Sequence, residues 1–444
     1  MGLLARCGQR RRAAVWGGRA ARWFVQARAQ SSAVLAWGAF VGRFAAAGAG
    51  GQPAGLEPHA CAAPTPLQPH LVFGAAPEAE IRVQAVGAGV RHALIAAKVA
   101  ARGGAAGPRT LLAGLGLNRC GQLGRARAGA SADASVVTEL DADVVQIACG
   151  REHTAMVVRR PGAGARVAVC GSSAFGQTGP AEQQPAAGAL APPSTELRDL
   201  DVLDAALGAG ESPAKVQCGL DHTVVLTTAG RVFALGWGAD GQLGAGSESD
   251  SARPVRVRGL PDTVPIVDIS SSTDFTLALG ADGRLFYWGN AEYGQCMVGR
   301  KIERVLVPME VPFGGGRIRA IAAGGCHALV LAEDGRVHAC GFGALGLGAG
   351  RMSALLPLPI SGLGGIDAVW ASTDRCLAVD RRRGRVYSWG LGNAEGRLGD
   401  GSVAQCVLSP RQLDIDPALA RRGLVALGND IALVAEAPAA PGGT

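Results

Sequence analysis

The sequence predicts an all-β protein with the architecture of a seven-bladed β-propeller, on the basis of two repeated phrases and their spacing. The first phrase is an apolar stretch, a glycine, two further residues, a histidine and a second apolar stretch, as in IACGREHTAMVV around His153. The second is Gly-Gln-Leu-Gly or a variant of it, found at residues 121–124, 176–179, 241–244 and 396–399. A self-similar unit of about fifty residues cannot bury its own apolar faces, so the copies must share a core.

Each unit contains four short apolar stretches, as a blade of four antiparallel strands requires. Aligned on the glycine of the turn after the second stretch, the units place the following residues at the histidine position: His92, His153, His222, Phe275, His327, Cys376 and Ile431. In the third unit the stretches are Lys215–Cys218, Thr223–Thr227, Arg231–Leu235 and the residues after Gln242. Short apolar runs between Gly and Asp turns favour strands over helices, and repeated four-stranded sheets favour a propeller.

The two ends of the repeat region predict how the ring closes. The first unit begins with a strand-like stretch at residues 33–38, and the last ends with one at residues 424–435. If the blades are offset from the sequence repeats, these ends complete one blade together and remove an exposed sheet edge. We therefore expect residues 33–438 to form a closed propeller and residues 439–444 a disordered tail. An Ala/Pro-rich insert at residues 180–213 makes the third repeat the longest, and we expect it to be a flexible loop.

The first 32 residues differ in composition from the repeats. They contain seven arginines and no acidic residue, and the first acidic residue of the chain is Glu57. Arg-rich, acid-free N-termini are typical of mitochondrial transit peptides, so we expect residues 1–32 to be a disordered, cleaved leader; a disordered tail of biased composition is the alternative. These seven arginines account for the whole net charge of +7, because the chain has 43 Lys and Arg residues and 36 Asp and Glu residues. The propeller itself is near neutral, which argues against a general coat for nucleic acid.

Patterns for catalysis, metals and cofactors are missing from the sequence. Gly236–Gly241 matches GxGxxG, but a strand-like stretch follows where a dinucleotide site needs a helix. The turn histidines fall on separate blades without ligand partners, so we expect them to brace their turns and to bind no metal. The eleven cysteines form no CxxC pair, and we expect free thiols. Nothing matches a nucleophile elbow, and no apolar run is long enough for a transmembrane helix.

Strand direction predicts two functional surfaces. Turns between the first and second strands, and loops between the third and fourth, emerge on the same face of every blade. We expect that face to bind a protein partner through these acids: Glu152, Asp221, Asp240, Asp274, Glu292, Asp374 and Glu395, with His327 and Asp430 beside them. The opposite face carries a basic turn with these arginines: Arg381, Arg382, Arg383 and Arg385. That turn is either an RNA-binding patch or an ordinary solvated turn.

The repeats resemble those of the regulator of chromosome condensation (RCC) family. The resemblance lies in GRVFALGWGADGQLG (Gly230–Gly244), GRLFYWGNAEYGQC (Gly283–Cys296) and GRVYSWG (Gly384–Gly390), together with the CGxxH turns. The family's strand tryptophan is present at Trp37, Trp288 and Trp389. It is replaced in the other units by Ala113, Cys170, Leu235 and Cys340.

The resemblance implies a protein that acts through partners and is not an enzyme. It implies guanine-nucleotide exchange on a mitochondrial dynamin-like fusion GTPase, and participation in mitochondrial ribosome biogenesis with the large-subunit rRNA and a pseudouridine synthase module. The expected location is the mitochondrial matrix, with peripheral attachment to the inner membrane left open. In the family's nuclear exchange factor a projecting hairpin helps to displace nucleotide, and residues 180–213 are its analogue by position. The alternative is a scaffold in ribosome assembly without exchange activity.

Overall fold

The computed structural model describes residues 33–38, 61–101, 107–125, 136–181, 191–392 and 396–437, which form seven four-stranded antiparallel sheets. We number the strands in chain order and letter the four strands of a blade a to d from the central channel outward. Strands β1 (Val34–Gly38) and β2 (Cys61–Pro66) come first in the chain and belong to blade 7.

Consecutive strands build the first six blades. Blade 1 contains β3 (Glu80–Ala88), β4 (His92–Ala100), β5 (Arg109–Gly116) and β6 (Val136–Leu140). Blade 2 contains β7 (Asp143–Cys149), β8 (His153–Arg159), β9 (Ala165–Gly171) and β10 (Ser194–Asp199). Blade 3 contains β11 (Pro213–Cys218), β12 (His222–Thr227), β13 (Val232–Gly236) and β14 (Ser251–Arg256).

The second half of the ring repeats this order. Blade 4 contains β15 (Ile266–Ser272), β16 (Phe275–Gly280), β17 (Leu285–Asn290) and β18 (Arg304–Val311). Blade 5 contains β19 (Ile318–Ala323), β20 (His327–Ala332), β21 (Val337–Phe342) and β22 (Ser353–Pro359). Blade 6 contains β23 (Ala368–Ala371), β24 (Arg375–Asp380), β25 (Arg385–Leu391) and β26 (Cys406–Gln412). The last strands, β27 (Gly423–Leu427) and β28 (Ile431–Glu436), are strands a and b of blade 7.

The predicted ring closure is confirmed. Strand β1 pairs antiparallel with β28, from Val34 opposite Ala435 to Gly38 opposite Ile431, so both ends of the propeller share blade 7. Short helices lie in connections between blades: α1 (Pro69–Phe73), α2 (Asp201–Asp204) and α3 (Pro417–Arg422). Among the described residues, no helix has the length and apolar character needed to cross a membrane.

Apolar side chains of neighbouring sheets form the core, and the Gly-Gln-Leu-Gly phrase fits into it. Trp288 is fully buried, and its indole Nε1 donates to the carbonyl of Gln242 in the preceding blade at 3.0 Å. Gly244 lies against the same ring at positive φ, and a Cβ there would come within 3.1 Å of Trp288. The last glycine of the phrase is therefore needed because the tryptophan of the next blade occupies the space of a side chain.

The structure corrects two expectations from the sequence. Residues 191–213 of the expected insert loop are not one loop: they contain β10, the outer strand of blade 2, and α2, while residues 182–190 lie outside the described residues. In blade 6 the histidine position is held by Arg375, which pairs with Gly390 as His327 pairs with Gly341. Cys376 is the next residue along β24. The sixth turn has one residue more before its glycine, so alignment on that glycine shifted the register.

Candidate partner-binding face

In blades 1, 2, 3 and 5 the Gly-x-x-His phrase forms the turn between strands a and b and connects the blade to the next one. In blade 2 the amide of Gly150 donates to the carbonyl of His153 at 2.9 Å, which closes the turn. The buried His153 Nε2 lies 3.1 Å from Thr223 Oγ1 of blade 3. The same contact joins His92 to Thr154 at 3.0 Å. It recurs between His222 and Ser271 at 2.9 Å and between His327 and Cys376 Sγ at 3.0 Å.

Burial keeps these histidines neutral. It lowers the pKa of His92 and His222 to about 3, with the charge of His153 as a smaller cause in both cases. It lowers the pKa of His153 and His327 to about 4. A neutral imidazole that is fully enclosed and bonded to the next blade supports the structural role expected for these residues. Within the described residues, no group of His, Cys, Asp and Glu side chains is arranged to hold a metal ion.

Turns a–b and loops c–d share one face, which we call the upper face; turns b–c and the connections between blades form the lower face. Cys120, in the c–d loop of blade 1, shows this arrangement because its Sγ lies 3.6 Å from Glu152 in the a–b turn of blade 2. Backbone bonds also cross between blades here, for example from Arg151 N to the carbonyl of Leu220 at 3.0 Å. The face is therefore a connected layer of turns.

Three of the expected acids cluster on the upper face at blades 3 and 4. Burial raises the pKa of Asp274 to about 6, helped by the charges of Asp240 and Asp221 and opposed by Arg151. Burial also raises the pKa of Asp221, and the ion pair with Arg151 partly offsets this rise. The structure thus brings Asp221, Asp240 and Asp274 close enough to influence one another, with Arg151 beside Asp221 and Arg304 beside Asp240.

A second group of acids surrounds Cys326 in the a–b turn of blade 5. Burial raises the pKa of this thiol to about 11, and the charges of Asp374, Asp274 and Glu292 contribute. Asp274 therefore connects the two groups, which together extend from blade 3 to blade 6. Both Glu292 and Asp374 are exposed.

The remaining residues expected on this face differ in their surroundings. Glu152 is partly buried beside Cys120. Asp430 is buried and forms ion pairs with Arg91 and Arg397, each at 3.2 Å, so its carboxylate serves the joint between blades and is not available to a partner. His327 is equally buried. Glu395 lies outside the described residues.

Two aromatic pairs on the upper face were not found from the sequence. Phe175 and Trp237 meet edge to face, with ring centroids 4.5 Å apart, between the c–d loops of blades 2 and 3. Tyr293 and Phe342 lie between blades 4 and 5, with centroids 6.1 Å apart. The available signal was the aromatic residue before Gly-Gln in the second phrase, as in YGQC and FGQT, but the partner ring comes from another blade.

The basic turn lies on the lower face, and half of its arginines are engaged in the fold. Arg383 pairs with the buried Asp380 at 3.0 Å, and Arg381 Nη1 donates to the carbonyl of Arg421 at 3.2 Å. Arg382 and Arg385 are exposed. Helix α3 adds two exposed arginines that sequence reasoning missed, Arg421 and Arg422. The cationic surface of blade 6 is therefore composed differently from the expected one.

The central channel is lined by the inner strands of all seven blades and has a water-accessible volume of about 420 Å³. Several of its polar side chains bind groups of the neighbouring inner strand. Gln146 exchanges two hydrogen bonds with the backbone of Val216, at 2.9 and 3.0 Å, and Lys215 pairs with Asp268. These contacts between inner strands thus brace the ring.

Known proteins with a similar sequence or structure agree with this architecture. Residues 111–434 match a family model described as the RCC1-like domain. The mouse RCC1-like G exchanging factor-like protein is 31% identical over 313 residues, and the match covers 65% of this chain and 65% of that protein.

Two solved propellers superimpose on most of the ring. Human WBSCR16 has 25% identity and a TM-score of 0.73, covering 92% of this chain and 100% of the other. Yeast Prp20p has 19% identity and a TM-score of 0.68, covering 93% of each chain. The family match and these superpositions confirm the resemblance seen in the repeats. The chain therefore belongs to the RCC1-like domain family.

Proposed function

We propose that the protein is a guanine-nucleotide exchange factor that binds its GTPase with the upper face. The observation that carries the proposal is the convergence of acids from blades 3 to 6 on that face. Family membership supports it, because the mouse relative is named an RCC1-like G exchanging factor-like protein. The structure of Prp20p was described together with its binding to Gsp1p and histones, so a propeller of this shape has documented protein partners.

In this proposal the protein makes and breaks no covalent bond. A GTPase holds nucleotide through a P-loop lysine and Mg²⁺, and exchange requires that the nucleotide-free state be stabilised. Carboxylates at Asp221, Asp240 and Asp274 would compete with the phosphates for that lysine. Because the rigid layer of turns presents them without a large loop movement, their cost of ordering on binding is small.

We propose further that the partner is a mitochondrial dynamin-like fusion GTPase and that the protein works in the mitochondrial matrix, with or without peripheral attachment to the inner membrane. The support is the acid-free, arginine-rich composition of residues 1–32, which suits a transit peptide. Import of the full chain into isolated mitochondria tests this. We expect a shortened, protease-protected product, and a chain lacking residues 1–32 should stay outside; equal import of both would refute the leader.

A second candidate function is a scaffold in mitochondrial ribosome biogenesis, in contact with the large-subunit rRNA and a pseudouridine synthase module. Exposed arginines from two elements of the lower face favour it. Arg382 and Arg385 come from β25 and its turn, and Arg421 and Arg422 come from α3. Co-sedimentation with the mitochondrial large subunit tests it. Loss of co-sedimentation on charge removal at these four positions would support the scaffold, and an unchanged profile would exclude this contact.

Release of labelled GDP from the candidate GTPase tests exchange directly. We expect the wild-type protein to accelerate release, and the triple change of Asp221, Asp240 and Asp274 to Asn to reduce the acceleration at least about tenfold, or about 1.4 kcal/mol. The matched control replaces three acids of the lower face, Asp282, Glu333 and Asp334, by their amides and should keep full activity. No acceleration by folded wild-type protein at micromolar concentration would refute exchange on that GTPase.

A further inference from the structure

An exposed aromatic pair marks a second kind of surface on the upper face, between blades 4 and 5. Tyr293 is 39% exposed and Phe342 is 47% exposed, and their rings are tilted by 35° to each other. Large apolar side chains are usually buried, so two neighbouring rings left in water on a well-packed ring of turns require an explanation.

The backbone beneath both rings is fixed. The Tyr293 amide donates to Gln295 Oε1 at 2.9 Å, as the equivalent amides do in the other Gly-Gln loops. The Phe342 amide donates to the carbonyl of Cys326 at 2.8 Å. These bonds fix the backbone that carries both rings, so a partner that covers them would not have to order a loop.

Carboxylates border the pair. Cys326, which holds Phe342 through its carbonyl, has its thiol pKa raised after burial by the charges of Asp374, Asp274 and Glu292. The carbonyl of Asp274 accepts from Asn290 N at 2.8 Å, at the start of the loop that carries Glu292 and Tyr293. None of these three carboxylates forms an ion pair with another described residue. We call Asp274, Glu292, Tyr293, Phe342 and Asp374 the aromatic–acidic patch.

We propose that the aromatic–acidic patch is the anchoring point for a protein segment in which an apolar side chain is flanked by lysine or arginine. Aromatic rings attract cations to their faces, and the aliphatic stems of Lys and Arg cover apolar surface while the charge reaches a carboxylate. Aromatic side chains at the centre of a charged rim are also the usual positions that dominate binding energy at interfaces.

Charge complementarity favours a basic protein segment over RNA, an anionic membrane or a second copy of this chain. Phosphates of RNA or of an anionic membrane would be repelled by the exposed carboxylates of Glu292 and Asp374, which form no ion pair with another described residue. A second copy of this chain docked through the same patch would place like charges opposite one another. The inference concerns binding alone and does not depend on nucleotide exchange, since a basic partner of any activity would use the same contacts.

Fluorescence anisotropy with defined peptides tests the proposal on the folded protein. The probe is a short labelled peptide in which tryptophans are flanked by lysines, and the comparison peptide has glutamate in place of each lysine. We expect the lysine peptide to bind more tightly than the glutamate peptide. Its affinity should fall as salt rises, because screening weakens exposed charge pairs. Equal binding of the two peptides would overturn the proposal.

Variants locate the contact. The double change Y293S/F342S should weaken the lysine peptide at least about tenfold, and E292Q/D374N should weaken it less while reducing its dependence on salt. The controls are Leu71→Ser, an exposed apolar change in α1, and Glu333→Gln on the lower face, neither of which should change binding. Should Y293S/F342S fold poorly, Glu292→Lys serves instead, since it reverses the rim charge at an exposed position. Unchanged affinity in a folded patch variant would refute the site.

Discussion

The joints between blades differ between the first half of the ring and its closing segment. Blades 1, 2 and 3 are each joined to the next blade by a neutral histidine that meets a hydroxyl group. In blade 6 the same position holds Arg375, a buried guanidinium that donates to carbonyl groups of Arg397 and Gly428. Next to it, Asp430 of blade 7 binds Arg397 on one side and Arg91 of blade 1 on the other. At the histidine position the closing joint is charged, whereas the joints formed by histidine are neutral. Ion pairs beside this position occur elsewhere too, as between Arg151 of blade 2 and Asp221 of blade 3.

This difference shows the role of the histidine position in the a–b turn. It is a connector between blades, and several side chains can serve: an imidazole, a guanidinium, or apolar Phe275 and Ile431, which make no polar contact of this kind. Charged hydrogen bonds are stronger than neutral ones when fully partnered, but they cost more when a partner is lost. Both ends of the propeller meet in blade 7, so the contacts of this blade also keep the ring closed.

The largest expected effect comes from breaking the closing blade itself. Deletion of residues 33–38 removes β1, leaves β28 paired only with β27 and takes away the fully buried Trp37. Loss of a buried tryptophan alone costs about 3–5 kcal/mol, so we expect the whole ring to be destabilised by more than about 4 kcal/mol in urea unfolding. A chain lacking only residues 1–32 is the control. Equal stability of the two deletions would contradict closure through β1.

Replacement of Arg375 by Met should have the next largest effect. The side chain is 1% exposed, and its loss leaves the carbonyls of Arg397 and Gly428 without this donor in a buried joint. We expect about 3 kcal/mol of destabilisation, because buried polar groups left unpaired cost this order of free energy. Arg382→Met, an exposed change in the same blade, should cost less than about 0.5 kcal/mol. A similar cost for both would mean that the ionic joint contributes nothing.

The overall fold was predictable because its signals are local and repeated. Glycine turns, apolar runs and the position of the terminal strands determine seven blades, their closure and which loops share a face. The outer strands were harder to predict. Strand β10 reads Ser-Thr-Glu-Leu-Arg-Asp and has no fully buried residue, so a search for apolar runs passes over it. Residues 180–213 were expected to be a loop because of their Ala/Pro content, and the polar pattern of β10 gave no signal against it.

Features of the face that depend on contacts between blades could not be predicted. Tyr293 and Phe342 are 49 positions apart and come together only because two blades are neighbours. Arg375 was assigned to the wrong register because the turn after β24 contains an extra residue, and only strand pairing reveals the shift. The sequence indicates that acids lie in the turns of this face, but it does not show which of them are paired with arginines. Asp430 is buried in ion pairs, whereas Asp374 is exposed.

A neutral joint should be cheaper to lose than the ionic one. In His153→Phe the ring is replaced by the side chain that occupies this position naturally in blade 4, and the bond to Thr223 disappears. The Thr223 hydroxyl keeps its bond to the carbonyl of Gln177 at 2.8 Å, so no buried group is left without a partner. We expect a loss of about 1–1.5 kcal/mol at pH 7. A double-mutant cycle with Thr223→Val isolates the contact, and a coupling energy near zero would show that it does not stabilise the ring.

The smallest expected effect is the pH dependence of that loss, and it separates the two kinds of joint. Burial lowers the pKa of folded His153 to about 4, below the 6.5 of an ordinary histidine. Between these values the unfolded chain binds the proton and the folded chain does not. The stability contributed by the neutral histidine is therefore complete above pH 6.5 and falls as the pH drops towards 4. The phenylalanine variant lacks this titration, so its deficit relative to wild type should shrink by about 1 kcal/mol between pH 7 and about pH 5.7. Arg375→Met removes no titrating group in this range and should keep the same deficit at both pH values. A constant deficit for His153→Phe would mean that the pKa of His153 is the same in the folded and the unfolded chain.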